Sequence, residues 1–469
     1  MDYLAPVRSH LDGMLAHAPA RVSKDPTAMW WSALDLRTRT YPEPDTHAPD
    51  IEKRVYRNID APRGCSLYWD LPQLAAAHTA SALTGRNEYA LAADAYVRDF
   101  LRRCVAQNGV LLWGNHFYWD AWRGCTLTFK SDETPVPVDP DTESGGYHEC
   151  RPLPPAWAVL YRVDARATSR AIRECVTRHV FDAATGGFNR HADGKKSHAF
   201  IESGGILVES AAWLHAREDA PELLDLARKI ARFSFESRHP ETGLMENDRT
   251  SKRWDKLVCT TEVGLWAGSL LRASEYSGDA FFAECAADAV RAWLRFGYDA
   301  KARRYYGKLK VADGSPSLGP KESAYQPGDY ADFWAPLFPA HDYPFALAET
   351  CLRLHARTGE DLFAEAARNL AAQLARETPV NGGKGGYAEH YGRGIHFLAH
   401  ASRHFKDAAL LEQAQGLADE AIRVLLLDGM FRGHPGEDRY DAVDGVGLLL
   451  LGLMTLHAGA DVEGHGFGF

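Results

Sequence analysis

No stretch of the 469-residue chain alternates apolar and polar residues for long enough to build a large sheet, which sets aside sandwiches and β-barrels. Its eight cysteines, at 65, 104, 125, 150, 175, 259, 285 and 351, include no Cys-x-x-Cys pair. That scatter argues against a disulfide framework or a zinc knuckle and suits a reducing compartment. The opening Met1-Asp2-Tyr3-Leu4-Ala5-Pro6 lacks the basic and apolar regions of a signal peptide. The expectation is therefore a cytoplasmic chain as written, or a periplasmic or secreted one if it is a processed form. The longest apolar run, Val446 to Leu456, is too short to span a bilayer. Positive charge is not in excess either: 53 Lys and Arg face 63 Asp and Glu, for a net charge of −10. The pI is about 6.1. Nucleic acid and anionic membranes are thus not expected partners. An acidic substrate remains compatible with this balance where basic groups gather in one cleft. No Pro/Gly/Ser-rich linker interrupts the chain, so residues 1–469 read as a single domain.

What the chain does contain is a recurring local pattern. A helix ends in a short polar turn, and a second, Ala-rich amphipathic helix follows. The turns are Leu83-Thr84-Gly85-Arg86, Arg162-Val163-Asp164-Ala165, Arg217-Glu218-Asp219-Ala220, Tyr276-Ser277-Gly278-Asp279, Arg357-Thr358-Gly359-Glu360 and Phe405-Lys406-Asp407-Ala408. Leu223, Leu226, Ala227, Ile230 and Ala231 fall on one helical face, as do Phe282, Cys285, Ala286 and Val290. Helices at Leu4–His17 and Val446–His457 supply a seventh hairpin. None of these hairpins can bury its apolar face alone, so the expected fold is all-α, an (α/α)6 to (α/α)7 barrel.

The second helix of each hairpin runs into a loop rich in aromatics, His and Arg, and these loops are expected at one end of the barrel. They hold Asn115, His116, Arg190, His191, His198, Asn247, Arg249, Tyr306, Lys308, His390, Tyr391, Arg393, His434 and Arg439. Loops on a rigid scaffold are the usual home of a site. The chain has 12 Trp, 19 Tyr and 20 Phe. Such rings serve either as core filler or as platforms for sugars.

Two segments stand out: Trp113-Gly114-Asn115-His116-Phe117-Tyr118-Trp119-Asp120 and Gly146-Tyr147-His148-Glu149-Cys150-Arg151-Pro152-Leu153-Pro154-Pro155. Together they resemble two motifs of the helical-barrel alginate lyases of polysaccharide lyase family 5. The hairpin series and chain length resemble the alginate and glucuronan lyases of family 38. The resemblance implies a lyase that cleaves a 1,4-linked uronate polymer, glucuronan or mannuronate-rich alginate, by β-elimination without a cofactor or metal. Carried over, Asn115 and His116 match the pair that neutralises the substrate carboxylate, and Tyr147 matches the catalytic tyrosine. Family 5 has an arginine seven residues before its tyrosine, where this chain has Pro140. Arg393 is the leading replacement. Arg63, Tyr118, Trp119, His148, Arg190, His191, His198, Arg249, His390 and Tyr391 complete the set as candidates for binding an acidic polysaccharide or oligouronate.

The chemistry needs these residue types. Removing the proton at C5 of a uronate builds charge next to a carboxylate, so donors must take up the enolate charge, at about 3–4 kcal/mol per well-placed group. One tyrosine can act as base and then as acid where H5 and O4 share a face of the ring. Because Tyr titrates near 10, cationic surroundings must lower its pKa. Plainer uses exist for the same residues. Asn115 can cap a helix beginning at Phe117, Tyr147 can be packing, and His148-Glu149 can be half of a metal site. Three rival functions stay open. One is an (α/α) glycoside hydrolase using two of Glu149, Glu202, Asp248, Asp255, Glu262 and Glu389. Another is a sugar 2-epimerase using His198 and His390. The last is a helical-repeat carbohydrate-binding protein without catalysis.

Overall fold

The computed structural model describes residues 2–22, 26–41, 64–114, 117–129, 135–138, 149–150, 156–251, 256–321, 326–335, 343–377 and 386–462. Among these, fourteen α-helices alternate with short loops. After α1 (Leu4–His17) they form antiparallel pairs, and the first is α2 (Leu67–Thr84) with α3 (Glu88–Arg103). The short α4 (Trp157–Val163) and then α5 (Ala165–Arg178) follow along the chain, and the next pair is α6 (Ile201–Glu218) with α7 (Pro221–Phe235). Then follow α8 (Thr260–Ser277) with α9 (Ala280–Gly297), α10 (Phe345–Thr358) with α11 (Asp361–Arg376), and α12 (Ala388–Phe405) with α13 (Ala408–Leu425). The last helix, α14 (Val446–Ala458), packs chiefly on α12 and α2 and also touches α1.

All six turns read from the sequence fall between successive helices, and the local reason is visible at several of them. Gly85, Gly278 and Gly359 close α2, α8 and α10 in the left-handed region, with φ of +74°, +73° and +71°. Glycine enters that region without a Cβ clash, and the turn can then accept the last helical carbonyls. Asp279 and Asp407 start the following helices as N-caps, their side chains accepting from the backbone N–H of Phe281 and Ala409.

The two helices of a pair differ in burial. In α7, α9, α11 and α13 a single face is buried. By contrast, α6, α8, α12 and α14 are buried on nearly every side over most of their length. A helix covered all round is an interior helix, and its apolar content follows from that position. Small residues let these interior helices approach closely. A Cβ on Gly452 of α14 would sit 2.5 Å from the carbonyl oxygen of Gly392 on α12, and one on Gly205 of α6 would sit 3.1 Å from Trp266 Cα on α8.

The chain divides into two compact units. One comprises residues 1–144, 155–168 and 379–467, and holds α1 to α4 with α12 to α14. The other comprises 145–154 and 169–378 with the last two residues, and holds most of α5 together with α6 to α11.

Sheets are minor. The largest has three antiparallel strands, β1 being elsewhere at Ala33–Asp35: β2 (Tyr118–Asp120), β3 (Cys125–Phe129) and β4 (Pro135–Pro137), with Trp119 opposite Thr126 and Thr128 opposite Val136. The strand at 118–120 corrects the capping use of Asn115, since no helix begins at Phe117. In the second unit β5 (Val180–Asp182) pairs with β6 (Gly187–Phe188) at the end of α5. No described helix is long and apolar enough to cross a membrane.

Candidate active site

The second unit gathers one group of sequence candidates around a buried carboxylate. Glu149 forms an isolated antiparallel bridge with His191, and the N–H of Cys150 donates to the carbonyl of Arg190 at 2.8 Å. The N–H of Arg190 donates in turn to the carbonyl of His198 at 3.0 Å. These backbone bonds fix three candidate side chains side by side. Arg190 Nε lies 3.3 Å from Glu149 Oε1 and His191 Nε2 lies 3.8 Å from the same oxygen. Arg190 Nε also donates to His191 Nε2 at 3.1 Å. Phe200 forms the wall: the Arg190 guanidinium is 5.1 Å from its ring centroid, and the His198 ring stacks on it at 6.2 Å. His191 and His198 meet edge to face at 5.6 Å. His198 holds a φ of +49°, a backbone conformation that a non-glycine residue adopts only where its surroundings impose it.

Burial grades this group from inside to outside. Glu149 is 3% exposed, while the Arg190 and His191 side chains are 24% and 30% exposed. A carboxylate at the base orients the Arg190 guanidinium, whose Nε–H also donates to the His191 ring. A planar guanidinium beside an imidazole, both partly open to solvent, suits an anionic sugar carboxylate.

Arg249 goes elsewhere. Its guanidinium donates to the carbonyl of Phe233 and lies 4.2 Å from that ring's centroid, so it is committed to packing. Asp248, one of the rival carboxylates, accepts from the N–H groups of Ala199 and Thr250 and from the Thr250 hydroxyl. These bonds make it a loop staple.

In the first unit, Tyr118 and Trp119 are buried in the three-stranded sheet, and Trp119 is bridged to Cys65 with the Arg103 guanidinium 5.1 Å from its ring. Further candidates ride on α12. His390 Nε2 lies 3.7 Å from Glu389 Oε1, and its ring meets Tyr387 edge to face at 5.7 Å, with His434 4.8 Å from the same tyrosine. Arg393, one turn further along, is 2% exposed. The Tyr391 hydroxyl donates to Glu420 Oε1 at 2.9 Å. Burial and that carboxylate push the Tyr391 pKa up, the opposite of what a base requires. Arg63, Asn115, His116, Tyr147, His148 and Asp255 lie outside the described residues.

Three of the rival carboxylates, Glu202, Glu262 and Glu389, share a placement that the sequence did not reveal, and Asp70, not singled out there, shares it too. Interior helices place carboxylates in their first turns: Asp70 in α2, Glu202 in α6, Glu262 in α8 and Glu389 in α12, all buried. The N-terminal end of a helix favours negative charge, which lets a buried carboxylate persist there. Asp70 also accepts from Ser32 Oγ at 2.8 Å, Tyr96 Oη at 2.6 Å and the Ser66 N–H at 3.1 Å. Burial still raises its pKa to about 7. The position of each acid just after a loop is the only sequence signal that marks the set.

A family model described as periplasmic pectate lyase matches residues 74–199, less than half of the chain. The matched stretch contains both motif segments and Arg190, His191 and His198. Among solved structures, a family 76 glycoside hydrolase from a bovine Bacteroides thetaiotaomicron strain is 11% identical, with 97% of this chain and 78% of that one covered and a TM-score of 0.50. The cellobiose 2-epimerase from Bacillus thermoamylovorans B4167 is 11% identical over 66% of this chain and 93% of that one, with a TM-score of 0.44. The unsaturated glucuronyl hydrolase from Bacillus sp. GL1 is 14% identical over 70% of this chain and 90% of that one, also at 0.44. The likeness to the first of these is one of fold, and the fold class is all-α, of the (α/α)-barrel type. The family match supports a carbohydrate-active protein, and the likeness to the family 76 structure bears on the fold alone.

Proposed function

We propose that the protein is a polysaccharide lyase that cleaves a 1,4-linked uronate polymer by β-elimination. The observation that carries this reading is the pectate-lyase match over residues 74–199, the stretch that holds Asn115-His116, Tyr147-His148 and the Arg190–His191–His198 group. In this reading Asn115 and His116 bind the carboxylate of the sugar being cleaved and take up charge as the C5 proton leaves. Tyr147 removes that proton and returns one to O4. Arg190, His191 and His198 bind the carboxylate of a neighbouring residue along the polymer, with Glu149 holding Arg190 in place. Arg393 remains the candidate for the arginine that family 5 has and this chain lacks at Pro140. The periplasmic setting in the family's description belongs to the same proposal.

The substrate turns on stereochemistry. In D-mannuronate and D-glucuronate, H5 and O4 lie on one face, so a single tyrosine serves both steps. In D-galacturonate, the sugar of pectate, O4 is axial on the face opposite H5, so the base and the acid must be separate groups. The family match favours pectate, and the Asn-His and Tyr-His motifs favour a same-face substrate.

Incubating the protein with glucuronan, poly-mannuronate, polygalacturonate and a neutral mannan, followed by ultraviolet absorbance and reducing-end assays, tests this. The expected result is absorbance from the unsaturated uronate on one or more acidic polymers and none on mannan. New reducing ends without that absorbance would make the protein a hydrolase and end the proposal.

A further inference from the structure

Beneath the Arg190 group, two thiols and an imidazole converge. Cys150 follows Glu149 directly, Cys175 lies in the last turn of α5, and His179 stands one residue beyond that helix. The two Sγ atoms and a ring nitrogen of His179 all lie within 4.8 Å of one another, and all three residues are buried. Cys150 Sγ is 3.6 Å from His179 Nε2. The other ring nitrogen, Nδ1, is 2.7 Å from the carbonyl oxygen of Asn189. A carbonyl only accepts, so Nδ1 carries the ring hydrogen and Nε2 presents its lone pair to the thiols.

That arrangement is the one a metal-binding histidine requires, with its second nitrogen anchored to a backbone carbonyl. The 3.6 Å between Cys150 Sγ and His179 Nε2 agrees too. With metal–sulfur bonds of about 2.3 Å and metal–nitrogen bonds of about 2.0–2.1 Å, two ligands on one tetrahedral zinc lie about 3.5 Å apart. Cys175 and His179 are four residues apart, one helical turn, so both ligands project from the same side of the α5 terminus.

We infer that Cys150, Cys175 and His179 form a structural site for a thiolate-binding cation of the zinc class. On binding, each thiol loses its proton to solvent, and two thiolates with one neutral imidazole balance the dication. One coordination position remains for water or a fourth donor. The ion would tie the segment bearing Glu149 to the end of α5 and β5. The site is positional, and it stands whether or not the lyase reading does.

The test uses the full chain, purified under reducing conditions, with metal content measured as isolated. The protein is then stripped with chelator and titrated with Co²⁺ and Zn²⁺. One equivalent of Co²⁺ should bind with a sulfur-to-cobalt charge-transfer band, and Zn²⁺ should displace it. Cys175→Ser and His179→Gln should each weaken Zn²⁺ binding by about a hundredfold or more, since even an outer-shell partner is worth 10–100-fold. Cys125→Ser, at a half-buried cysteine elsewhere, should leave the titration unchanged. Circular dichroism of each variant separates loss of the site from loss of the fold, and a chain whose Cys175→Ser form unfolds is judged on His179→Gln. Absence of a charge-transfer band in the parent protein overturns the inference. So does a Cys150–Cys175 disulfide found by mass spectrometry in the reduced preparation.

Discussion

Replacing Glu149 with Gln separates an orienting carboxylate from a catalytic one. Its Oε1 lies 3.3 Å from Arg190 Nε, and the side chain is 3% exposed. At that distance and an effective dielectric near 20, the bare attraction is about 5 kcal/mol. Desolvating the carboxylate takes back several of these, and Arg190, 24% exposed, keeps part of its water. A net contribution of about 1–2 kcal/mol is left. Gln keeps the volume and an acceptor for Arg190, so Glu149→Gln should lower the unfolding free energy by about that amount. Arg190→Met removes the guanidinium beside this buried carboxylate, and its cost should be greater, about 3 kcal/mol, the lower end for breaking a buried pair. Urea titration followed by circular dichroism reads both, with the slope unchanged. On the best uronate polymer, Glu149→Gln should lower kcat/KM by less than about tenfold, because the carboxylate transfers no proton. A general acid or base would cost about 10²–10⁴-fold. A folded Glu149→Gln protein with a hundredfold loss would refute the orienting role and favour the two-carboxylate hydrolase. An Arg190→Met protein no less stable than Glu149→Gln would refute the electrostatic account.

Tyr147→Phe keeps the ring and removes only the hydroxyl. If one tyrosine serves both proton transfers, turnover on poly-mannuronate or glucuronan should fall by about 10⁴-fold while the melting temperature holds, and retention of most activity would remove Tyr147 from the mechanism. The buried pair of Arg272 Nε with Glu209 Oε1 at 2.7 Å and Nη2 with Oε2 at 2.8 Å predicts that Glu209→Ala alone costs about 3–5 kcal/mol. An apolar double replacement should recover most of that in a double-mutant cycle read by urea unfolding. Asp70, with a folded pKa of about 7 against about 3.9 unfolded, prefers the protonated form when folded. Stability from this group is therefore full at pH below about 4 and falls by about 4 kcal/mol as the pH rises through 7. Asp70→Asn should flatten that difference in paired unfolding curves at pH 5 and pH 8.

The hairpins were legible because their signals are local. Gly85, Gly278 and Gly359 stand where the backbone turns left-handed, and Asp279 and Asp407 stand where a first N–H needs an acceptor. Asp219 and Lys406, which fill the same left-handed position with φ of +49° and +54°, show that the turn and not the residue type is the constant. What periodicity could not show was which helix of each pair lies inside. α12 carries Glu389, His390, Arg393 and His396 and reads as a polar helix, yet all four are buried. Interior position there is set by what covers the helix, and that is a property of its neighbours.

The candidate site was half legible for the same reason. Arg190, His191 and His198 were picked as loop residues, and their likeness to one another ended at residue type. Joining them to Glu149 took a bridge between segments about forty residues apart, and no pattern in either segment points to the other. Arg249, an equally good candidate by type and place, is spent on the Phe233 carbonyl and ring. A loop arginine therefore gains meaning from what it faces. By that criterion Arg190, held against a buried carboxylate and partly open to solvent, stays a binding candidate. Arg249 is placed to close a turn. The cysteines carry the same lesson. Without a Cys-x-x-Cys spacing they read as inert, and only the fold of β5 and β6 sets His179 with its anchored nitrogen against Cys150 and Cys175. A ligand set assembled from one distant segment and one helix end has no spacing to recognise. Its evidence is the tautomer that Asn189 imposes, and that exists only once the chain has folded.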